Sequence, residues 1–458
     1  MDWHAYTARV QPFFWKLVRP SLRIGRSMTE VSSLRGCKYF PRGFHKQVDT
    51  IWVPAPFLKN VFAEAGVPRK KIQVAVETVD LGHFEPGRRR GLDVPADLAG
   101  IKGARWYEWF RRRGEAVNAE KEGDLTVFGS VAGSTSERNL TARIPSLPAK
   151  EGTNSNEAYI PHEDEPCQFI FLSIFKWEAR KDPETLIKAF LHTFGVDSGV
   201  CLLISSKDSS RGVPQSDRHN RDRIYSHIRN VVENMDWNDT WTPLSYSPPH
   251  AAGEFPPLAS DFRNDWLRFK PTSKPTNLGV LRRLIKVTTS QHSWDSLPGL
   301  YRVADAYVSS SHGEGWGLPA HEALAMELPV VAPATTGHLA FLDMDNSWPV
   351  ALELDAQEKT VRAQIPEDAK MDFGPLATWD QVDWKHLSAT MLSVALLKFQ
   401  MYAQARDTGR PLSKVQNSYE IYTKPKHARE RLKKELSQLA VIKEWMKLLG
   451  DLVMEKLW

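Results

Sequence analysis

Short runs of consecutive apolar residues alternate along the chain with segments whose apolar positions recur every three or four residues. Gln168–Phe175, Val200–Ser205, Ala304–Ser309 and Leu328–Pro333 are near-continuous apolar runs, the pattern of strands covered on both faces. Val280–Val287 predicts a further strand. Between them the helical period takes over. Asp182-Pro183 is a good cap and first-turn pair for a helix through Phe190, Asp217–Met235 is helical, and Pro319 can open a helix whose Ala323–Met326 is apolar. Strand and helix in turn predict an α/β class with a doubly wound parallel sheet. Near the end Leu432, Leu436, Leu439, Ile442, Met446, Leu449, Val453 and Leu457 recur at helical spacing among lysines. That stripe reads either as a helix packing back across the molecule or as an interfacial amphipathic helix, and the mixed charges of its polar face favour the first.

The most informative stretch is Ser311–Glu322, where Glu314 and Glu322 stand eight positions apart across a turn rich in glycine that runs into a helix. Gly313, Gly315 and Gly317 let a backbone come close to a ligand, and the free N–H groups where the helix begins favour phosphate oxygens. Glu322 lies about one turn inside the helix and Glu314 in the loop before it, so both can face one crevice at the carboxyl end of the preceding strand. An isolated Glu is more often a solvated carboxylate. Here the strand, turn, helix and next strand follow in the order a ligand crevice requires.

With its continuation to Val331, this stretch resembles the Glu-x7-Glu motif and the EAMA-x-G-x-P-V-I segment of the retaining GT-B glycosyltransferases, the group 1 family that includes sucrose synthase and mannosyltransferases. Val48–Phe57 is similar to the family's D-x-I-W-V-P-S-x-F segment, a strand and following helix that close the amino-terminal domain. Gly66-Val67, Lys71–Val74 and Val79–Pro86 continue the likeness, Arg23–Glu30 fits what precedes it, and Ser293–Tyr301 resembles the short helix before the donor strand. Most of residues 20 to 87 and 166 to 400 are covered. The resemblance implies a donor site built from Gly313, Gly315, Trp316, Gly317, Leu318 and Glu322, with Glu314 orienting the transferred sugar and Glu322 the ribose. Lys176 and Lys181 fall where the family carries the Arg and Lys that neutralise the donor diphosphate. Lysine at 176 keeps the charge and loses the bidentate fork. A hydrogen-bonding role for His312 beside this site is weaker than its reading as a plain turn residue.

The domain organisation implied is a partial amino-terminal Rossmann-like domain over 1–87, a disordered insertion or linker over 88–165, a nucleotide-sugar-binding Rossmann-like domain over 166–405 and a helical segment over 406–458. A GT-B amino-terminal domain opens with a strand and a glycine-rich loop, and only Met1 to about Phe14 precede the matched region, so that domain is expected to be truncated. Residues 88–165 pass through Arg88–Arg90 and Arg111–Arg113 into Gly/Ser/Thr/Asn-rich sequence, and residues 242–279 hold many prolines. Both read as insertions.

Composition changes little in this picture. The 458 residues leave room for two or three domains, and 41% hydrophobic with 25% charged is ordinary globular composition. A formal net charge of +5 suits an anionic nucleotide sugar better than a nucleic-acid groove, and no basic-aromatic RNA motif is present. Cys37, Cys167 and Cys201 are widely spaced and odd in number, which indicates neither a disulfide framework nor a zinc site; Cys167 and Cys201 read as packing residues. The 14 histidines form no metal-binding pattern, so no metal and no cofactor is expected. No apolar run of about 18 residues and no signal-peptide pattern occurs, and the expected location is cytoplasmic, with peripheral membrane contact as the only alternative.

Together these observations predict a transferase moving a hexosyl group from a nucleoside diphosphate sugar to a sugar, lipid or protein acceptor without nucleic acid. The alternative is a nucleotide-sugar-binding or regulatory protein that retains the donor domain without catalysis.

Overall fold

The structure, a computed structural model, describes residues 22–34, 45–87, 98, 167–195, 198–208, 216–237, 242–243, 271, 274–275, 277–290, 292–363, 365–366, 376–410 and 412–457. The expected insertion at 88–165 therefore lies outside the described residues except for Leu98, which is buried in the core. Most of 242–270 lies outside them as well.

The amino-terminal part is a parallel sheet of β1 (Ile24–Arg26), β2 (Thr50–Val53) and β3 (Ile72–Val74), with β2 in the middle and α1 (Pro56–Glu64) packed on it. The carboxy-terminal part begins with β4 (Phe169–Trp177), α2 (Pro183–Thr193), β5 (Val200–Asp208) and α3 (Asp217–Asn234). It continues through α4 (Leu278–Leu284), β6 (Ile285–Thr288), α5 (Leu297–Val303), β7 (Ala306–Val308), α6 (Leu318–Ala325), β8 (Val330–Pro333) and β9 (Trp348–Val350). A small antiparallel pair, β10 (Arg362–Ala363) and β11 (Trp379–Asp380), precedes the long helices α7 (Trp384–Thr408), α8 (Glu420–Arg431) and α9 (Gln438–Leu457).

The larger sheet is parallel throughout and ordered β6-β5-β4-β7-β8-β9. This is the doubly wound α/β arrangement expected, Rossmann-like, with its order reversing between β4 and β7. At such a switch point the loops leaving the two strands diverge and open a crevice at their carboxyl ends. Alternate residues of β4 feed two cores: Phe169 and Phe171 face Leu186, Phe190 and Met391, while Ile170 and Leu172 face the layer of Leu300, Leu324 and Phe62. The second core is continuous across both sheets, so the amino-terminal part is packed onto the same apolar layer as α5 and α6.

The chain end returns to that junction. Arg429 of α8 is buried and donates to the carbonyls of Phe84 (2.6 Å) and Leu81 (3.0 Å), to Glu85, and to the Ala325 carbonyl at the end of α6. Thr78 Oγ1 donates to the Leu436 carbonyl at 2.9 Å, and Trp445 of α9 packs on Trp52 with ring centroids 5.7 Å apart. The expected single helix over Leu432–Leu457 is interrupted. Leu432–Leu436 forms a wider π turn, Ser437 is extended, and α9 restarts at Gln438. Leu432, Leu436 and Val441 are buried, whereas Leu439, Ile442, Met446 and Val453 face solvent. No helix among the described residues is long and apolar enough to cross a membrane.

Two further expectations are corrected. The strand expected over Val280–Val287 is a helix followed by a shorter strand, because Asn277 caps the turn by accepting from Gly279 N–H at 2.7 Å. Leu281 and Leu284 then bury at helical spacing. Cys167 and Cys201, read as packing residues, are joined by a disulfide with Cα atoms 5.8 Å apart. β4 and β5 are neighbours in the sheet, which brings together two cysteines 34 positions apart in sequence.

Candidate functional site

The crevice at the switch point is a cavity of about 1090 Å³ whose lining includes Lys176, Arg180, Lys181, Lys207, Pro319 and Trp379. One rim is the loop after β4. Lys176 precedes that loop. β4 continues to Trp177, so Lys176 lies on the strand in register with Lys207 of β5, exposed at the cavity mouth. The loop then turns through a single 3₁₀ turn at Ala179–Lys181 into α2. Asp182 caps that helix, accepting from Thr185 N–H at 3.1 Å, and adopts a left-handed conformation with φ of 46°. A non-glycine residue there is under backbone strain, and Ser310 Oγ clamps it by donating to the carbonyls of Asp182 (2.7 Å) and Lys181 (3.0 Å).

Across from that loop lies the turn after β7, whose following helix lines the cavity through Pro319. Gly317 ends the turn with φ of 100°, and α6 follows with Pro319 in its first turn as expected. A Cβ on Gly313 would collide with the carbonyl oxygen of Glu30, so this glycine admits the amino-terminal segment against the turn. Thr336 and Gly337 hold the turn from behind: Glu314 N–H donates to Thr336 Oγ1, and Gly337 N–H donates to the Glu314 carbonyl, both at 2.9 Å.

The Glu314 carboxylate reaches from the turn to pair with Lys181 and, at 3.3 Å, with Arg180. Arg180 also donates to the Gly313 carbonyl at 2.8 Å and to Glu178 at 2.7 Å. Residues 133 positions apart thus form one charged cluster, nearly closed to solvent. Burial alone would raise the Glu314 pKa, but Lys181 and Arg180 overcome it and bring the value down to about 2. Burial lowers the pKa of Lys181, with Glu314 opposing it; for Arg180 burial acts downward too, yet Glu314, Glu30 and Glu178 leave it raised.

Glu322 behaves in the opposite way. Burial raises its pKa to about 7, and the one hydrogen bond that counters it comes from Tyr301, whose hydroxyl donates to Glu322 Oε2 at 2.5 Å. The two glutamates therefore differ in charge state near neutrality, one fixed as a carboxylate and one poised. Leu318 is half exposed at the start of α6, whereas the side chain of Trp316 is buried, donating to His321 Nδ1 at 3.0 Å and packing on Phe341. Trp316 thus supports the turn from within the core. His312 is an interior residue too: Nδ1–H donates to the Asp380 carbonyl at 2.9 Å, Nε2 faces Asp182 at 3.5 Å, and the ring stacks on Trp379.

Arg180, Tyr301, Thr336, Glu30 and Trp379 were not apparent from the sequence. Arg180 carried a signal, being beside Lys181 in a basic loop; the others are brought to the site by contacts between distant segments. Among the described residues no group of three or more His, Cys, Asp or Glu side chains is placed to hold a metal ion.

Residues 270–358 match the family model of glycosyl transferases group 1. That segment carries the glycine turn and both glutamates. No curated protein sequence matches the chain. Similar solved structures include a glycosyltransferase from Rickettsia africae, with 11% identity and a TM-score of 0.42 over 88% of this chain and 63% of that one. HepE of Anabaena, in complex with UDP and glucose, has 10% identity and a TM-score of 0.45 over 93% and 71%. Sucrose-phosphate synthase of Thermosynechococcus elongatus has 13% identity and a TM-score of 0.43 over 94% and 68%. This chain thus spans 63% of the length of the Rickettsia protein. The strand order establishes the doubly wound fold independently of these scores. On that fold, the segment from the approach to α4 to just past β9 is similar to group 1 glycosyltransferases.

Proposed function

We propose that this protein is a retaining glycosyltransferase that moves a hexosyl group from a nucleoside diphosphate sugar to an acceptor hydroxyl. The observation that carries the reading is the meeting of Lys181 and Glu314 across the switch point between β4 and β7, with Glu322 on the helix that follows, beside a cavity that Lys181 and Pro319 line.

Each part has a chemical task. Lys181, with Lys176 and Arg180 on the same rim, supplies positive charge for the diphosphate, the leaving group of the reaction. Fixed cations in a crevice shielded from water stabilise the charge that develops on the departing oxygens, and they need no reorganisation at that moment. Glu314, held at about 2, stays ionised at neutral pH and cannot serve as a proton donor there. It accepts hydrogen bonds from hydroxyls of the transferred ring and fixes that ring over the phosphate. Glu322 accepts from the ribose, with Tyr301 holding its carboxylate in position. Retention follows by resemblance, with the acceptor attacking from the face the leaving group vacates and the diphosphate oxygen taking the acceptor proton.

The test is turnover of UDP-glucose, GDP-mannose and ADP-glucose followed by proton NMR of the anomeric signal. An α-linked first product from an α-linked donor supports the proposal. A β-linked first product overturns the retaining assignment, and binding without turnover under any donor supports a nucleotide-sugar-binding protein instead.

A further inference from the structure

The wall of the cavity that meets the glycine turn is built by two segments with no assigned role. Glu30 comes from the amino-terminal part and Trp379 from β11. Their backbones are stitched together: Ser32 N–H donates to the Thr378 carbonyl at 3.0 Å, and Ser33 bridges Thr378. Val31 and Leu34 pack with Ile365, Ala377 and Trp379 in an apolar cluster of their own, so the two segments pack as one unit. That unit is pressed on the donor turn, with the Glu30 carbonyl against Gly313.

The chemistry displayed there is specific. Trp379 is 3% exposed, and its ring is fixed by stacking on His312 with centroids 5.8 Å apart and planes 14° apart. Its indole N–H finds no hydrogen-bond partner among the described residues. A buried indole N–H ordinarily has an acceptor, so a ligand oxygen that reaches it supplies the missing bond. Glu30 offers the complementary carboxylate and contributes to the field that raises the Arg180 pKa. An indole donor and a carboxylate among the lining residues of one cavity suit a hydroxylated ring, while Glu30 and Glu178 disfavour another phosphate.

We propose that Glu30 and Trp379 form a pyranose-binding subsite beside the glycine turn: one ring hydroxyl donates to the Glu30 carboxylate and another oxygen accepts from Trp379 Nε1–H. The subsite takes the acceptor's sugar ring. Its placement rests on the transferase reading, which puts the donor ring over Glu314 and leaves this end of the cavity to the second substrate.

The test uses the full chain and saturation-transfer difference NMR with methyl α-glucoside, methyl α-mannoside and methyl α-galactoside, with and without saturating UDP. At least one glycoside gives signal with the unmutated protein. Trp379→Phe, which keeps the ring and removes the N–H, and Glu30→Gln each weaken it roughly tenfold, the loss expected when a buried hydrogen bond is removed. UDP affinity by calorimetry stays within about twofold. Should both variants instead weaken UDP-glucose relative to UDP and leave the glycosides unaffected, the ring bound is the donor's own and the acceptor assignment fails. No glycoside signal from folded protein, or signal unchanged in both variants, overturns the subsite. Failure of the unmutated chain to bind UDP strikes the transferase reading instead, and the glycoside measurements without UDP still decide the subsite.

Discussion

The poised state of Glu322 makes donor binding depend on pH. Raising a carboxyl from 4.5 to about 7 corresponds to roughly 3 kcal/mol in favour of its protonated form, since each tenfold change in proton affinity is about 1.4 kcal/mol. An ionised carboxylate accepts from ribose hydroxyls more strongly than a protonated one, so binding favours loss of the proton. Between pH 6 and pH 8 the ionised fraction rises from about one tenth to about nine tenths, and the affinity for a nucleotide sugar should tighten about tenfold. UDP-glucose is the suitable probe because its diphosphate does not titrate in that window. Calorimetry in buffers of different ionisation enthalpy should show proton release near pH 6. Glu322→Gln should bind more weakly at pH 8 with a flat profile, and Tyr301→Phe, by removing the bond that lowers this pKa, should move the rise to higher pH. The stability sign is opposite: the folded state keeps the proton up to about 7 and the unfolded chain only to 4.5. The contribution of Glu322 is therefore complete below 4.5 and lost as pH rises to 7. An affinity flat from pH 6 to 8 in the unmutated chain, or the same slope in Glu322→Gln, would refute this reasoning.

Lys181→Ala should weaken UDP by roughly tenfold or more and uridine hardly at all, measured by calorimetry, because only the diphosphate meets the charge; equal losses would make the lysine structural. Glu314→Gln should leave UDP binding nearly unchanged and weaken UDP-glucose. Because the folded-state pKa of Glu314 is depressed, its ionic contribution is present above 4.5 and lost as pH falls towards 2, so scanning calorimetry should show a larger destabilisation at pH 7 than at pH 3. Gly313→Ala should lower the melting temperature by an amount equivalent to about 1–3 kcal/mol, since the new Cβ meets the Glu30 backbone; an unchanged melting temperature would mean that the amino-terminal segment is not seated on the turn.

What could be read from the chain was whatever depends on neighbours in sequence. The apolar runs of β4, β5, β7 and β8 identify strands buried on both faces, and the glycine turn announces itself because Gly317 and Pro319 meet local backbone demands. Val280–Val287 misled because a one-turn cap at Asn277 decided between two periods that a short apolar run fits equally well. The disulfide of Cys167 with Cys201 and the partnership of Tyr301 with Glu322 needed the sheet and helix layer to exist first. Trp316 looked like a ligand-facing aromatic beside two glycines, yet apolar burial against Phe341 turned it inward. Glu30 and Trp379 carried no signal, because only packing between the two parts of the molecule brings them to one wall.

The central claim, a nucleoside diphosphate seated between the β4 loop and the glycine turn, is tested most directly by calorimetry of the folded 458-residue chain with UDP, GDP and ADP, repeated on Lys181→Ala. The account predicts a saturable, one-to-one heat of binding with at least one nucleotide and its weakening by roughly tenfold in the variant. Absence of binding to all three by folded protein, or binding that Lys181→Ala leaves unchanged, would contradict it.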